Sequence, residues 1–280
     1  MADWRHAGVL VCGASSQIGW CLLPQLAAAG VGVTALSRRV RPAERGVEWL
    51  RGELPHPPIC AAESIVSFAP LGALAAWLAA GGAPGAQRVV ATSSMSAESK
   101  QASPVAAERA LARQLQDGET ALARVCAARR IAWTILRPTI IYGVARDRSL
   151  TPLARRAVRW RVFGLPAGTG LRQPVHAADV ASAVVRALDG AAAGRILPIG
   201  GGERLPAAEM FARVRASLPM RTCPVPVPAW AIALGARVVP ALRGPLTRLR
   251  QDLIADNAEL ERLLGVRPRP FRPDAACWGL

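Results

Sequence analysis

Short apolar runs alternate with longer Ala- and Leu-rich stretches through the first half of the chain. Ala7–Cys12, Gly32–Leu36, Ser64–Phe68, Arg88–Thr92 and Ile131–Leu136 predict buried strands, and Val47–Leu50 carries the same signal over fewer positions. Between them, Ile18–Ala29, Leu71–Ala80 and Ala106–Arg129 are long enough and apolar enough on one face to predict helices. Strand–helix alternation of this kind predicts an α/β fold, a doubly wound parallel sheet, because parallel neighbours need crossover connections and these are right-handed. Past Gly143 the pattern loosens. Helices are predicted at Pro152–Trp160, Ala178–Leu188, Ala207–Leu218, Trp230–Val239 and Asp256–Leu264, with a strand at Arg195–Ile199. Residues 1–143 are therefore read as a core, and 144–280 as a region that completes the sheet and forms a smaller, mostly helical cap. The proline-rich stretches Leu54–Pro58 and Cys223–Pro228 read as turns or loop segments, and no internal repeat is visible.

Composition supports a folded chain. Of 280 residues, 51% are hydrophobic and 19% charged, which excludes disorder as the main state. The formal charge is +16, yet Lys100 is the only lysine, so the excess is carried by arginine. Ala, Gly, Pro and Arg in such abundance look like the imprint of GC-rich coding, which weakens charge as a sign of an acidic partner. The arginines are scattered and aromatics are only 5%, so no nucleic-acid partner is expected. Six cysteines lie far apart with no CxxC pair, so neither a metal site nor a disulfide framework is expected. The apolar run before Gly13 is too short for a signal peptide, and Val225–Leu242 is interrupted by Pro226, Pro228, Arg237 and Pro240. No transmembrane segment is expected, and the default is a soluble, cytoplasmic protein. Ala229–Leu242 is apolar enough for a subunit or membrane-surface contact, although a core helix is preferred, and an oligomer is left open.

The first strand runs into chemistry. Val9-Leu10-Val11-Cys12-Gly13-Ala14-Ser15-Ser16-Gln17-Ile18-Gly19 is a strand, a small-residue turn and a helix start. Glycines in such a turn let the backbone approach a pyrophosphate, and the helix N-terminus offers free N–H groups and the positive end of its dipole. After the second strand come Ser37, Arg38 and Arg39, with no Asp or Glu between Asp3 and Glu44. The carboxylate that pairs with the ribose hydroxyls of NAD is missing. A guanidinium suits the 2′-phosphate of NADP, so NADP is expected ahead of NAD.

These residues resemble the extended and atypical short-chain dehydrogenase/reductases, the NAD-dependent epimerase/dehydratase-like family, whose Rossmann turn reads GxxGxxG. Gly13 and Gly19 match its outer glycines, and Ser16 stands at the middle one. Gly52-Glu53-Leu54 is similar to the "G-D-L" that approaches adenine, and Ser67-Phe68-Ala69-Pro70 to the lining of the cofactor cleft. Leu136-Arg137-Pro138-Thr139-Ile140-Ile141-Tyr142-Gly143 resembles "L-R-P-x-x-x-Y-G", and Gln173-Pro174-Val175-His176-Ala177-Ala178-Asp179-Val180-Ala181 resembles "P-V-H-V-D-D-V-A". The resemblance implies a cofactor-binding set of Gly13, Ser15, Ser16, Gln17, Ile18, Gly19, Ser37, Arg38, Arg39, Glu53, Leu54, Ala69 and Pro70. His176 and Asp179 are read as capping and packing residues in preference to chemical ones.

The family's active site is a Ser/Thr, a Tyr and a Lys, the lysine lowering the phenol's pKa so that it can move a proton. Ser94 matches the serine. Aligning Gly118-Glu119 with the end of the family's Y-x-x-x-K-x-x-G-E pattern puts Leu111 at the tyrosine position and Leu115 at the lysine position, and neither can transfer a proton. Tyr142 is the only tyrosine, so no Tyr-x-x-x-Lys can be written anywhere. Ser94 and Tyr142 remain the catalytic candidates, with wall packing the preferred role for Tyr142 and an exposed loop position for Lys100. Arg137 and Arg172 are weighed as anchors for an anionic substrate. The sequence leaves two readings: an NADP-linked oxidoreductase or epimerase/dehydratase-type enzyme acting on an unidentified small molecule without the usual pair, or a non-catalytic NADP(H)-binding structural or redox-sensing protein.

Overall fold

The computed structural model describes residues 8–42, 46–228, 230, 249 and 251–280. In chain order the Rossmann part comprises β1 (Val9–Cys12), α1 (Gln17–Ala28), β2 (Val33–Ser37), β3 (Val47–Arg51), β4 (Ser64–Ser67), α2 (Leu71–Ala79), β5 (Arg88–Thr92), α3 (Ser96–Ser99), α4 (Ala106–Ala128) and β6 (Ala132–Pro138). There follow β7 (Ile141–Tyr142), α5 (Leu150–Trp160), β8 (Val162–Pro166), β9 (Leu171–Arg172), β10 (Val175–His176), α6 (Ala177–Ala187), β11 (Arg195–Ile199), β12 (Leu205–Pro206), α7 (Ala207–Ala216), β13 (Cys223–Val227) and α8 (Ala258–Leu264).

Seven strands form one parallel sheet in the order β11-β6-β5-β4-β1-β2-β3. Side-chain alternation along the strands sorts the core into two layers. Val9 and Val11 point with Val33 and Ala35 into a layer closed by α1, α6 and α8, where Leu22, Leu26, Val180, Val184 and Leu260 are fully buried. Leu10 and Cys12 point with Ile65 and Ile135 to the other face, under α2 and α4, against Leu74, Leu78 and Leu122. Each such side chain contributes about 1.5–3 kcal/mol of burial, so the period of two along β1 is strongly specified. A third cluster, built from Tyr142, Phe163, Met210, Val214, Phe271 and Trp278, holds the cap segments together.

The helix and strand assignments hold to within a residue or two for most elements. Val47–Leu50 is a real edge strand, and Arg195–Ile199 returns to the sheet beside β6. Cys223–Pro228, read as a loop because of its prolines, is mostly strand: β13 pairs in parallel with β8. Pro224 and Pro226 are two residues apart, so both missing N–H groups lie on one edge of a two-stranded ribbon, where no ladder bond is lost. The cap is accordingly less helical than expected, with three two-stranded pairs, β7–β10, β9–β12 and β8–β13. The predicted helix Trp230–Val239 and the apolar stretch Ala229–Leu242 lie outside the described residues except for Trp230. Among the described residues no helix is long and apolar enough to cross a membrane.

Candidate functional site

The glycine-rich turn sits at the C-terminal end of β1, where open parallel sheets bind ligands at the reversal of strand order between β1 and β4. Gly13 has φ +80, a left-handed conformation that a side chain disfavours. A Cβ on Gly19 would lie 2.3 Å from the Ala14 carbonyl oxygen, so only glycine lets the first turn of α1 press against the turn. Ser16 occupies the N-cap, its Oγ accepting from Gly19 N–H at 3.1 Å, while its backbone N–H donates to the Gly13 carbonyl. Serine in place of the middle glycine thus serves as a capping residue. The N–H groups of Gln17 and Ile18 find no protein acceptor among the described residues, and Gln17 Oε1 is buried without a partner.

A groove of about 1000 Å³ runs across this turn. Its walls include Gly13, Ser15, Ser16 and Gln17 from the turn, Ser37 at the end of β2 and Arg38 after it, Glu53 and Leu54 after β3, and Ala69 and Pro70 after β4. Three residues of the sequence-derived set are not in the wall. Ile18 is buried in the core, Gly19 acts through close packing, and Arg39 is exposed. Arg38 reaches Glu53 at 3.5 Å across the adenosine end expected from the motif.

The far wall was not legible in the sequence. Arg146, Asp147 and Arg148, in the loop after β7, close over the turn. Arg146 donates to the Ser15 carbonyl at 3.3 Å and stacks over Trp20 at 4.4 Å, although 131 residues separate it from Ser15. Asp147 is not a free carboxylate: it accepts from the backbone N–H groups of Ser149, Leu150 and Thr151 and from both hydroxyls, capping α5. The only signal was position, two charged arginines just past a Tyr-Gly motif.

The catalytic candidates lie outside the groove wall. Ser94 is half-buried after β5, its Oγ accepting from Ser96 N–H at 3.1 Å. Its neighbour Ser93 has a buried Oγ with no partner. Tyr142 is 1% exposed and packed edge-on against His176 at 5.2 Å and Phe271 at 4.8 Å. Burial pushes its phenol up, away from any working range at neutral pH, with Cys277 and Asp179 adding to the rise. That environment is core packing within the cap cluster, away from the groove wall where the sequence reading put it. Tyr142→Phe is therefore expected to leave dinucleotide affinity and any turnover within about twofold, with stability changed by about 1 kcal/mol at most, checked by titration and thermal melting.

Several sequence expectations need correction. Arg137 is not available to a substrate: its Nε donates to Glu119 at 2.8 Å, and its other nitrogens hold Glu119 and Glu98. Arg172 is buried and donates to the Leu171 and Gln251 carbonyls. Lys100 is half-buried at the C-cap of α3, where its backbone N–H donates to Glu98, and is not an exposed loop lysine. His176 and Asp179 are structural, as expected. His176 Nδ1 caps α6 by accepting from Ala178 N–H, and Asp179 receives both the backbone and the guanidinium of Arg269. Desolvation, helped by the charge of Arg269, lowers the His176 pKa. Leu111 is exposed and Leu115 half-buried on α4, where the sequence alignment places the family's proton-moving pair.

Comparison with known proteins shows what part of the chain is similar to. Residues 72–200 match the model of the NAD dependent epimerase/dehydratase family. The family resemblance carried by the motifs is borne out on that stretch, which holds Ser94, α4 and the Leu136–Gly143 motif. Solved structures share the fold across nearly the whole chain. One is "MoeE5 in complex with UDP-glucuronic acid and NAD", at 20% identity and a TM-score of 0.72, covering 96% of this chain and 97% of that one. A second is the UDP-glucuronic acid 4-epimerase from Bacillus cereus in complex with NAD, at 14% identity and 0.72, covering 96% of each. A third is the UDP-glucose 4-epimerase from Thermotoga maritima with UDP-glucose, at 15% and 0.70, covering 97% and 96%. A search of the curated proteins found no match.

Proposed function

We propose that the groove holds a nicotinamide dinucleotide and that the protein serves an epimerase/dehydratase-type or oxidoreductase reaction of the family, on a small-molecule substrate. The observation that carries this reading is the turn: two helix N–H groups without a protein acceptor, beside a glycine that admits no side chain, are what a pyrophosphate requires. Bound there, a nicotinamide dinucleotide supplies hydride acceptance and donation. The chain's own contribution is to seat the pyrophosphate on Gln17 and Ile18, to flank the adenosine end with Arg38 and Glu53, and to cover the turn with Arg146. Ser94 is the residue placed by motif to hydrogen-bond a substrate oxygen. NADP rests on Ser37, Arg38 and Arg39; the similar structures above hold NAD and lend that preference no support.

Calorimetric titration with NADH and NADPH tests both levels. Binding of either supports the site, and binding of neither ends the proposal. If the arginines recognise the 2′-phosphate, Arg38→Ala with Arg39→Ala weakens NADPH at least tenfold while changing NADH little, because a charge-assisted phosphate contact contributes about 1.5–3 kcal/mol. An equal effect on both assigns the site to NAD.

A second reading is favoured by one observation. With Leu111 and Leu115 at the proton-transfer positions and the Tyr142 phenol buried, no side chain here matches the family's acid–base pair. A non-catalytic dinucleotide-binding role follows if reduced-cofactor oxidation stays silent across aldehydes, quinones and nucleotide sugars. Turnover that is lost in Ser94→Ala restores the enzyme.

A further inference from the structure

The arginines of this chain are not placed evenly with its acids. Residues 148–178 contain six arginines and residues 210–251 seven, and neither run contains a single Asp or Glu. The fold brings described parts of the two runs together, because β8 belongs to the first, β13 to the second, and these two strands pair. At that junction Arg156, Arg159, Arg161 and Arg221 are exposed, and none of them has a carboxylate partner among the described residues. Of the cap's carboxylates, Glu203 and Glu209 are taken by Arg213, and Asp179 by Arg269.

Apolar side chains are exposed among these charges. Trp160, at the end of α5, is 64% exposed, and Arg156 lies over its ring at 5.8 Å. Leu153, Val162 and Val225 are also exposed, and Trp230 just beyond β13 is 71% exposed. Val162 pairs with Cys223, and Val225 is two residues further along β13, so Val162 and Val225 stand on the same face of the ribbon. Helix α5 buries Leu150, Ala154 and Ala157 and turns its arginines, Leu153 and Trp160 outward.

We propose that this face of the cap docks on an anionic lipid surface, with the arginines on headgroup phosphates and Trp160, Val162 and Val225 in the headgroup–acyl boundary. Exposed arginines attract anionic headgroups and exposed Trp160, Val162 and Val225 bury apolar area in the boundary, and the two kinds of contact add. A nucleic acid would use the guanidinium groups but offers nothing apolar to Leu153, Val162 and Val225. The inference is independent of the dinucleotide groove, which lies on other residues.

Flotation of the full chain with vesicles of equal parts phosphatidylglycerol and phosphatidylcholine, against phosphatidylcholine alone, tests it. Binding is expected to the anionic vesicles only and to weaken with salt. Arg156→Glu with Arg159→Glu is expected to lower the apparent affinity at least tenfold, and Trp160→Ser severalfold. The same charge change on α4, Arg113→Glu with Arg124→Glu, is expected to leave binding within twofold. Melting temperature and dinucleotide titration of each variant confirm that it is folded. Absence of flotation, equal flotation with neutral vesicles, wild-type binding by both cap variants, an equal loss in the α4 control, or displacement of the protein from vesicles by equimolar duplex DNA would each overturn the proposal.

Discussion

Gly19→Val is expected to lower dinucleotide affinity at least a hundredfold, about 2.8 kcal/mol, in the same titration that defines the site. The reason is local and steric. The first side-chain carbon alone would stand 2.3 Å from the Ala14 carbonyl oxygen and 2.6 Å from its carbon, both backbone atoms that cannot rotate away. The turn must open, and opening it moves the N–H groups of Gln17 and Ile18 off their common target and breaks the Ser16 cap, whose loss alone costs about 1 kcal/mol. Ser16→Ala is the informative companion: it removes the cap while leaving the turn unobstructed, so it should cost stability and leave most of the affinity. If Gly19→Val binds dinucleotide as wild type does, the pyrophosphate does not sit on this turn.

Glu119→Ala is expected to destabilise the protein by about 3 kcal/mol, and to lower the melting temperature by about 6 °C in a chain of this size. Glu119 is 3% exposed on α4 and meets Arg137 of β6 with both carboxylate oxygens; the Arg137 side chain is itself 13% exposed. Its charge is held by hydrogen bonds with Glu119 first and by the charges of Glu119 and Glu98 besides, which raise the arginine's pKa against the opposing effect of burial. Removing Glu119 leaves a desolvated guanidinium with the half-exposed Glu98 as its sole carboxylate. Removing one partner of a buried pair costs far more than the pair contributes, because the remaining charge is uncompensated. A double variant, Glu119→Leu with Arg137→Leu, should recover much of the loss; an undisturbed melting curve in the single variant would mean that water replaces the carboxylate.

The pair also shows where reading the chain as a string stops. Arg137 looked available for a substrate because its motif lies beside the expected cleft, and Glu119 entered only as an alignment marker. Eighteen residues separate them, and only the packing of α4 on β6 decides that they neutralise each other. Arg146 is a similar case on the other side of the groove. Nothing between Gly143 and Ser149 indicates that the loop returns to the first turn of the sheet, so three residues of the groove wall were missed. Tyr142 was legible as a single tyrosine, but the ring cluster that closes around it comes from Phe271 and Trp278, more than a hundred positions away.

What the chain determined by itself was everything governed by short-range periodicity and backbone sterics. Alternation of apolar runs set the parallel sheet, since a side-chain period of two and a crossover between parallel neighbours leave few other arrangements. The Gly13–Gly19 spacing set the turn, because its conformation is decided by atoms within seven residues of one another. The empty Tyr and Lys positions were equally plain, a matter of composition. Only the tertiary structure decided which charges are neutralised and which face outward. Ion pairing depends on distances across elements remote in sequence, and the same arginine is a buried tie at 137 and an exposed cation at 159.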